Sequence, residues 1–250
     1  MSTKPVIISI EGNIGSGKTT ILENLEKYYE HDKSVLFLRE PLDVWEEIKD
    51  EKTGENILQK FYADPDKYAF AFQVMAYASR LSMVREAIKT GSGHFSAIIV
   101  ERSLAADKRI FAKMLYDDGK IDDVCYQIYK KFYKEFSDDI GLSGIVYIDA
   151  DAEVCKERVE KRSRQGEGGI SLEYLQKCKK YHDEWLDKEP YVLRIKTNQN
   201  VTYDPQDSSD QGNVWLKQIS RYIKEVVKHE DSYVHRYPKS SFGVPNKLFS

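Results

Sequence analysis

Val6-Ile7-Ile8-Ser9-Ile10-Glu11 runs straight into Gly12-Asn13-Ile14-Gly15-Ser16-Gly17-Lys18-Thr19, and an amphipathic stretch begins at Lys18. Residues 12–19 fit G-x-x-x-x-G-K-[ST], and a strand before with a helix after is the setting in which that spacing has a mechanism. Glycines allow successive backbone N–H groups to turn toward a phosphate chain, and the helix N-terminus adds positive potential. Lys18 would reach the terminal phosphates and the Thr19 hydroxyl suits Mg²⁺. Gly12 through Thr19, with Thr20 after them, are therefore the expected nucleotide-holding residues. The motif alone leaves kinase, switch GTPase and mechanical ATPase open, because all three share loop and fold.

Working outward, short apolar runs alternate with long amphipathic ones. Strands are predicted at Val6–Ile10, Val35–Leu38, Ala97–Val100, Ile145–Ile148 and Val192–Ile195. Helical periodicity covers Lys18–Glu30, Lys67–Lys89, Leu104–Tyr116, Asp122–Phe136, Ala152–Lys161, Ser171–Asp187 and Val214–Lys228. Strands alternating with helices imply an α/β fold with a mostly parallel, five-stranded sheet covered on both faces. One domain over residues 1–228 is expected, followed by an aromatic, proline-containing tail at 229–250.

Lys plus Arg number 38 and Asp plus Glu 41, so the net charge of −3 offers no global field for a nucleic acid polymer or an anionic membrane. Cys125, Cys155 and Cys178 are too far apart for a zinc or disulfide framework and read as free thiols in a reducing compartment. The N-terminal apolar run is too short for a signal peptide, and no stretch approaches the ~18–20 apolar residues of a membrane helix. A soluble, cytoplasmic protein is the expectation.

Three clusters favour a small-molecule kinase. Glu40-Pro41-Leu42-Asp43-Val44-Trp45 follows the second strand, at the sheet edge where open α/β folds bind ligands. A carboxylate there can take the proton of an attacking hydroxyl, and Trp45 can wall an aromatic ring. The bland alternative makes Glu40 a helix start and Trp45 core. Glu101-Arg102 ends the buried run Ala97–Val100, where charges need partners. Glu101 suits a Mg²⁺ shell and Arg102 a transferring phosphoryl group, against the alternative of a buried ion pair. Arg158, Arg162 and Arg164 lead into Gly166-Glu167-Gly168-Gly169, a lid at about 158–169 able to bring positive charge over a nucleotide, or else a solvated basic face. No NKxD-type guanine-reading motif is present, and the chain is small for a mechanical ATPase.

With EGNIGSGKTT, REPLDVW, FYADPDKYAFAFQ, ERSLAADKRIFA and GISLEYLQKCKKYHDEWL in that order, the chain resembles the deoxyribonucleoside kinase family from about Val6 to Leu186. The resemblance implies a P-loop kinase fold, transfer of the γ-phosphoryl of ATP with Mg²⁺ to a deoxynucleoside 5′-hydroxyl in nucleotide salvage, and a homodimer. It implies Glu40 as general base, Arg102 beside the hydroxyl, Glu101 with Thr19 at the metal, and Lys18 on the phosphates. Gln73 would read the base edge, with Trp45, Leu58, Phe72 and Phe111 as pocket walls. Tyr62 and Glu167 would hold the sugar 3′-hydroxyl, and Arg158 would stack near adenine.

In that family three positions divide thymidine-type from deoxycytidine- and purine-type members, and here they are Ala76, Arg80 and Asp107. A small Ala76 and a polar Arg80–Asp107 pair favour deoxycytidine or purine deoxynucleosides over thymidine. Ala105 and Ala106 depart from the bulkier or polar residues usual between ERS and that aspartate, which is expected to widen the pocket beside Asp107 and blur the base preference. Two rival readings stand: a thymidylate-like monophosphate kinase, which shares loop and lid, and a P-loop regulator that binds nucleotide without turnover.

Overall fold

A computed structural model describes residues 4–91, 94–137, 139–162 and 167–233. The sheet is built from β1 (Val6–Gly12), β2 (Val35–Leu38), β3 (Ala97–Glu101), β4 (Gly144–Asp149) and β5 (Val192–Lys196). The order is β2-β3-β1-β4-β5 and every pairing is parallel, with Ile8 opposite Ile99 on one side and Gly144 on the other. The central strands β1, β3 and β4 are buried throughout and read as mostly apolar runs, with the buried Ser9, Glu11, Glu101 and Asp149 as their polar exceptions.

Alternate residues of each strand serve opposite faces. On one face, Ile8, Ile10, Ile99, Val146 and Ile148 pack beneath α1 (Lys18–Tyr28), through Ile21, Leu22 and Leu25, and beneath α10 (Gln211–Tyr233), through Trp215, Leu216, Ile219 and Ile223. On the other, Ile7, Ile98 and Val100 meet Val84 and Ala87 of α4 (Pro65–Gly91). Ile145 and Tyr147 meet Cys178, Trp185 and Leu186 of α9 (Leu172–Leu186).

Two short helices, α2 (Leu42–Glu47) and α3 (Ile57–Ala63), follow β2 and escape the periodicity argument. Each has only about two turns, less than a window of that argument. α3 is started by a capping box: the Asn56 side chain accepts from the Gln59 N–H while Gln59 accepts from the Asn56 N–H. The helix expected over Leu104–Tyr116 is broken into α5 (Leu104–Ala106), a π-helical turn (Asp107–Ala112) and α6 (Lys113–Asp117). Widened turns of this kind recur at functional sites, and this one carries Asp107 and Phe111. α7 (Asp123–Ser137) and α8 (Ala152–Arg162) fall where the periodicity puts them. α10 begins before Val214 and continues past Lys228, into the segment expected to be tail. No helix among the described residues is long and apolar enough to cross a bilayer.

Candidate active site

Parallel strands deliver their C-terminal ends to one edge, and the functional side chains gather there. Gly12 closes β1 at φ +152°, and an added Cβ would sit 2.5 Å from the Ile148 carbonyl oxygen. Gly15, at φ +80°, is pressed against α8, where a Cβ would lie 2.5 Å from the Cys155 carbonyl oxygen. The loop between them is pinned by Asn13, whose amide donates to the Leu175 carbonyl at 2.8 Å and whose Oδ1 accepts from the Ile14 N–H at 2.8 Å. The Lys18 ammonium donates to the Asn13 carbonyl at 2.8 Å, and burial with the nearby Arg102 charge lowers it to about 8. Thr20 is exposed at the loop's far end.

Glu101, at the last position of β3, makes no ion pair among the described residues. Its Oε1 accepts from the Thr19 hydroxyl at 2.5 Å, which sets a carboxylate and a hydroxyl side by side at the loop's lip. Both are hard oxygen ligands of the kind Mg²⁺ takes. No cluster of three or more His, Cys, Asp or Glu suited to a metal occurs among the described residues, so an ion here would rely on donor phosphates for further ligands.

Arg102 holds φ +65°, a left-handed conformation that a non-glycine residue adopts at a cost of about 1–3 kcal/mol. The surroundings enforce it: the Arg102 N–H donates to the Ile10 carbonyl at 3.0 Å, and Ser103 N–H donates to the buried Glu11 carboxylate at 3.0 Å. The twist turns the guanidinium across the cleft, 4.5 Å from the Phe111 ring centre, with Nε 3.3 Å from Glu40 Oε1. Arg80 of α4 also binds Glu40 Oε1, through Nη2, while its Nη1 donates to Asp107 Oδ1. Burial by itself would raise the Glu40 carboxyl, but Arg80, Arg102 and Lys18 overrule it and hold it at about 2. At Asp107 burial wins over both arginines and pushes the carboxyl up to about 6.

One cleft contains nearly all the expected acceptor-side residues: Glu40, Trp45, Leu58, Tyr62, Phe72, Gln73, Ala76, Arg80, Arg102, Asp107 and Phe111, facing Gly15, Lys18 and Thr19. Its aromatic wall is built by contact. Phe72 meets Trp45 edge-on at 5.4 Å and stacks on Phe61 at 4.7 Å, and the Trp45 indole N–H donates to Ser79 Oγ at 2.9 Å. Among the residues lining the same cleft two buried acceptors, Gln73 Oε1 and Asp107 Oδ2, have no partner. An unpaired buried acceptor costs about 1–3 kcal/mol, which a ligand N–H would recover.

The arginines expected to form a lid separate. Arg162 lines the cleft from the end of α8, whereas Arg158 lies behind the loop, donating to the Ser16 carbonyl at 3.3 Å and the Gln199 carbonyl at 3.0 Å. Arg164 and the Glu167 side chain lie outside the described residues. Sequence reasoning missed Phe61, Tyr174 and the pocket-lining part played by Leu42. Phe61 was signalled by its place three residues after Leu58 on one short helix, had that helix been recognised.

A phosphate loop and a half-buried carboxylate, Glu40, line one cleft, an arrangement that suits a P-loop phosphotransferase. The profile of the deoxynucleoside kinase family matches residues 8–233. A probable deoxycytidine kinase of Fowlpox virus is 35% identical over 223 residues, 88% of this chain and 88% of the viral protein. Human deoxycytidine kinase is 33% identical over 196 residues, covering 72% of this chain and 74% of its own. The mitochondrial deoxyguanosine kinase of Xenopus laevis is 30% identical over 211 residues, 78% of each chain. The chain belongs to the deoxynucleoside kinase family and is a nucleotide-dependent kinase of deoxynucleosides.

Proposed function

We propose that the protein transfers the γ-phosphoryl group of ATP, as its Mg²⁺ complex, to the 5′-hydroxyl of a deoxyribonucleoside, with deoxycytidine or purine deoxynucleosides ahead of thymidine. The observation that carries this reading is the shared cleft: Glu40, the phosphate loop, the aromatic side chains and two unpartnered acceptors line one space. Glu40 takes the proton of the 5′-hydroxyl while Arg102 holds that carboxylate in place. Lys18 leaves the Asn13 carbonyl for the donor phosphates, and Arg162 closes from the lid side. Mg²⁺ held by Thr19 and Glu101 would supply charge neutralisation on the β- and γ-phosphates.

The base preference follows from hydrogen-bond type. Asp107 Oδ2 and Gln73 Oε1 call for N–H donors, which the exocyclic amino groups of cytosine and adenine provide, whereas thymine turns a carbonyl oxygen toward the same place. Ala76, fully buried, keeps the floor of the slot low. Tyr62 on the slot's rim and Glu167 at the lid are assigned to the sugar 3′-hydroxyl.

Further support comes from the surface. Val124, Ile128, Phe132 and Phe136 are spaced by four along α7 and are 65%, 41%, 42% and 43% exposed, an apolar stripe of the kind two copies bury against each other. We assign it to a homodimer. The free cysteines Cys125, Cys155 and Cys178 fit a reducing, cytoplasmic setting.

The test is ADP release with ATP–Mg²⁺ and each natural deoxynucleoside, with dTMP and dCMP as competing acceptors. Faster turnover of deoxycytidine or the purines supports the reading, dominant thymidine turnover removes the base assignment, and turnover of monophosphates alone removes the acceptor. Glu40→Gln is expected to lower kcat by ~10²–10⁴-fold with ATP affinity little changed.

A further inference from the structure

Trp45 lines the cleft from the short helix α2, and its indole is held by side chains of α4. Phe72 lies edge-on at 5.4 Å, the Arg80 guanidinium is 5.0 Å from the ring centre, and Ser79 Oγ accepts the indole N–H at 2.9 Å. Ring and cation contacts tolerate tilt and sliding, whereas a hydrogen bond fixes a direction.

Ser79 is not itself part of the cleft lining. Its hydroxyl donates to the Ala76 carbonyl at 3.1 Å, one turn back on α4. With that proton engaged, Oγ faces the indole as an acceptor, and an indole N–H can only donate, so the pair has a single sense. The link ties Trp45 to the turn of α4 that presents Ala76 and Arg80 to the same cleft. Trp45 is 4% exposed, so without Ser79 the indole N–H must swing toward another acceptor or stay buried and unpaired. A nucleobase is flat, and an aromatic wall holds it well only when the wall keeps its orientation.

We propose that Ser79 is a positioning residue for nucleoside recognition: it fixes the orientation of the Trp45 ring that the base packs against, and so sets nucleoside affinity without touching the nucleoside. The inference rests on the acceptor assignment given above. Contact with the base is made alike before and during phosphoryl transfer, so losing it raises the nucleoside KM and leaves the saturated rate alone.

Ser79→Thr and Ser79→Val form the discriminating pair, because they match in shape and differ in the hydroxyl, and a helical threonine can still bond the carbonyl one turn back. With deoxycytidine and ATP–Mg²⁺, Ser79→Val should show a nucleoside KM on the order of 10-fold above that of Ser79→Thr, with kcat and the KM for ATP within about 2-fold. Deoxycytidine titration without ATP gives the same gap in dissociation constant through intrinsic fluorescence. Of the three tryptophans Trp45 lines the cleft, while Trp185 and Trp215 sit in the cores on either face of the sheet. Ser79→Ala replaces the valine variant if that chain does not fold. Equal nucleoside affinities in the pair, or a loss confined to kcat, would overturn the proposal. Trp45→Phe closes the cycle, since a phenyl ring has no N–H to give. In that background the threonine and valine variants should bind deoxycytidine equally, and a surviving 10-fold gap would show the hydroxyl acting through α4 itself, which refutes the role. A parent protein that phosphorylates no deoxynucleoside would overturn the acceptor assignment and this inference with it, an outcome distinct from an active parent whose paired variants agree.

Discussion

Replacing His182 with Phe should make the protein markedly more tolerant of acid. His182 lies on α9, fully buried, with its ring stacked on Tyr147 at 5.9 Å and edge-on to Phe111 at 6.3 Å. Its Nδ1 is 2.6 Å from the Cys178 carbonyl, an acceptor only, so Nδ1 carries the proton and donates; Nε2 has no partner. A second proton on Nε2 would bury an unpaired charge beside existing cations. Burial first, then Arg102, lowers this imidazole from 6.5 to about 3. The unfolded chain therefore binds a proton below pH 6.5 that the folded chain refuses until about pH 3, and stability falls as the pH drops through that interval. Between pH 7 and pH 5 the loss is about 2 kcal/mol, because at pH 5 the unfolded imidazole is almost fully charged and the folded one is neutral. The value barely changes if the folded group titrates a unit higher. Asp107, raised by its burial, acts in the opposite sense, gaining stability as the pH falls through its folded value, but it is common to both proteins and cancels. Urea unfolding of the original and His182→Phe at pH 7 and pH 5 reads the difference directly. The variant should lose about 2 kcal/mol less than the parent. Equal losses would show that the ring is either charged or solvated in the folded protein, and the stack behind Phe111 would have to be redrawn.

Gly15→Ala sets a Cβ 2.5 Å from the Cys155 carbonyl at φ +80°, so the loop must move off α8 and nucleotide affinity should fall more than about 10-fold by equilibrium titration. Gly17→Ala, at φ +101° with nothing within 4 Å, should suffer only backbone strain, about 1–3 kcal/mol in a urea melt. Tyr129 is 1% exposed and its hydroxyl has no partner, so Tyr129→Phe should be neutral or up to ~1 kcal/mol more stable, and a loss beyond that would reveal a hidden acceptor. Phe132→Glu places a charge in the middle of the α7 stripe and should give a monomer by sedimentation at micromolar protein, with the circular dichroism spectrum retained.

Much of this architecture was readable because parallel strands buried on both faces are mostly apolar, with few polar residues such as Ser9 and Glu11 inside them. Val6–Gly12, Ala97–Glu101 and Gly144–Asp149 therefore stand out as apolar runs, and a charge at their ends marks the ligand edge. Glu101 and Arg102 were legible for that reason. Helices α2 and α3 were not, since six or seven residues hold too few turns to show a period, although Asn56-Ile57-Leu58-Gln59 carried a capping signal. The π turn was invisible because it shifts the helical period only over Asp107–Ala112. Nor could spacing show that Arg80 reaches Glu40 forty positions away: a buried cation chooses its anion by three-dimensional reach, which neither period nor motif encodes.

The cleft's charge balance bears on what Arg162 does at its rim. Apart from Arg162, its lining charges among the described residues are Lys18, Arg80 and Arg102 against Glu40, Glu101 and Asp107, and contacts already tie up several of them. Such a set is nearly neutral without substrate, which limits the cost of burying it. It also means that a triphosphate entering the cleft finds little uncommitted positive charge beyond the loop amides and Lys18. The deficit has to be met by charge that comes with the donor or from the rim, where Arg162 lines the cleft from the end of α8. Removing it should therefore weaken the transferring state more than the resting one, so that Arg162→Gln lowers kcat while the dissociation constant of ATP changes less. A drop confined to ATP affinity would place Arg162 on the ground-state phosphates and leave the transferred group to Arg102.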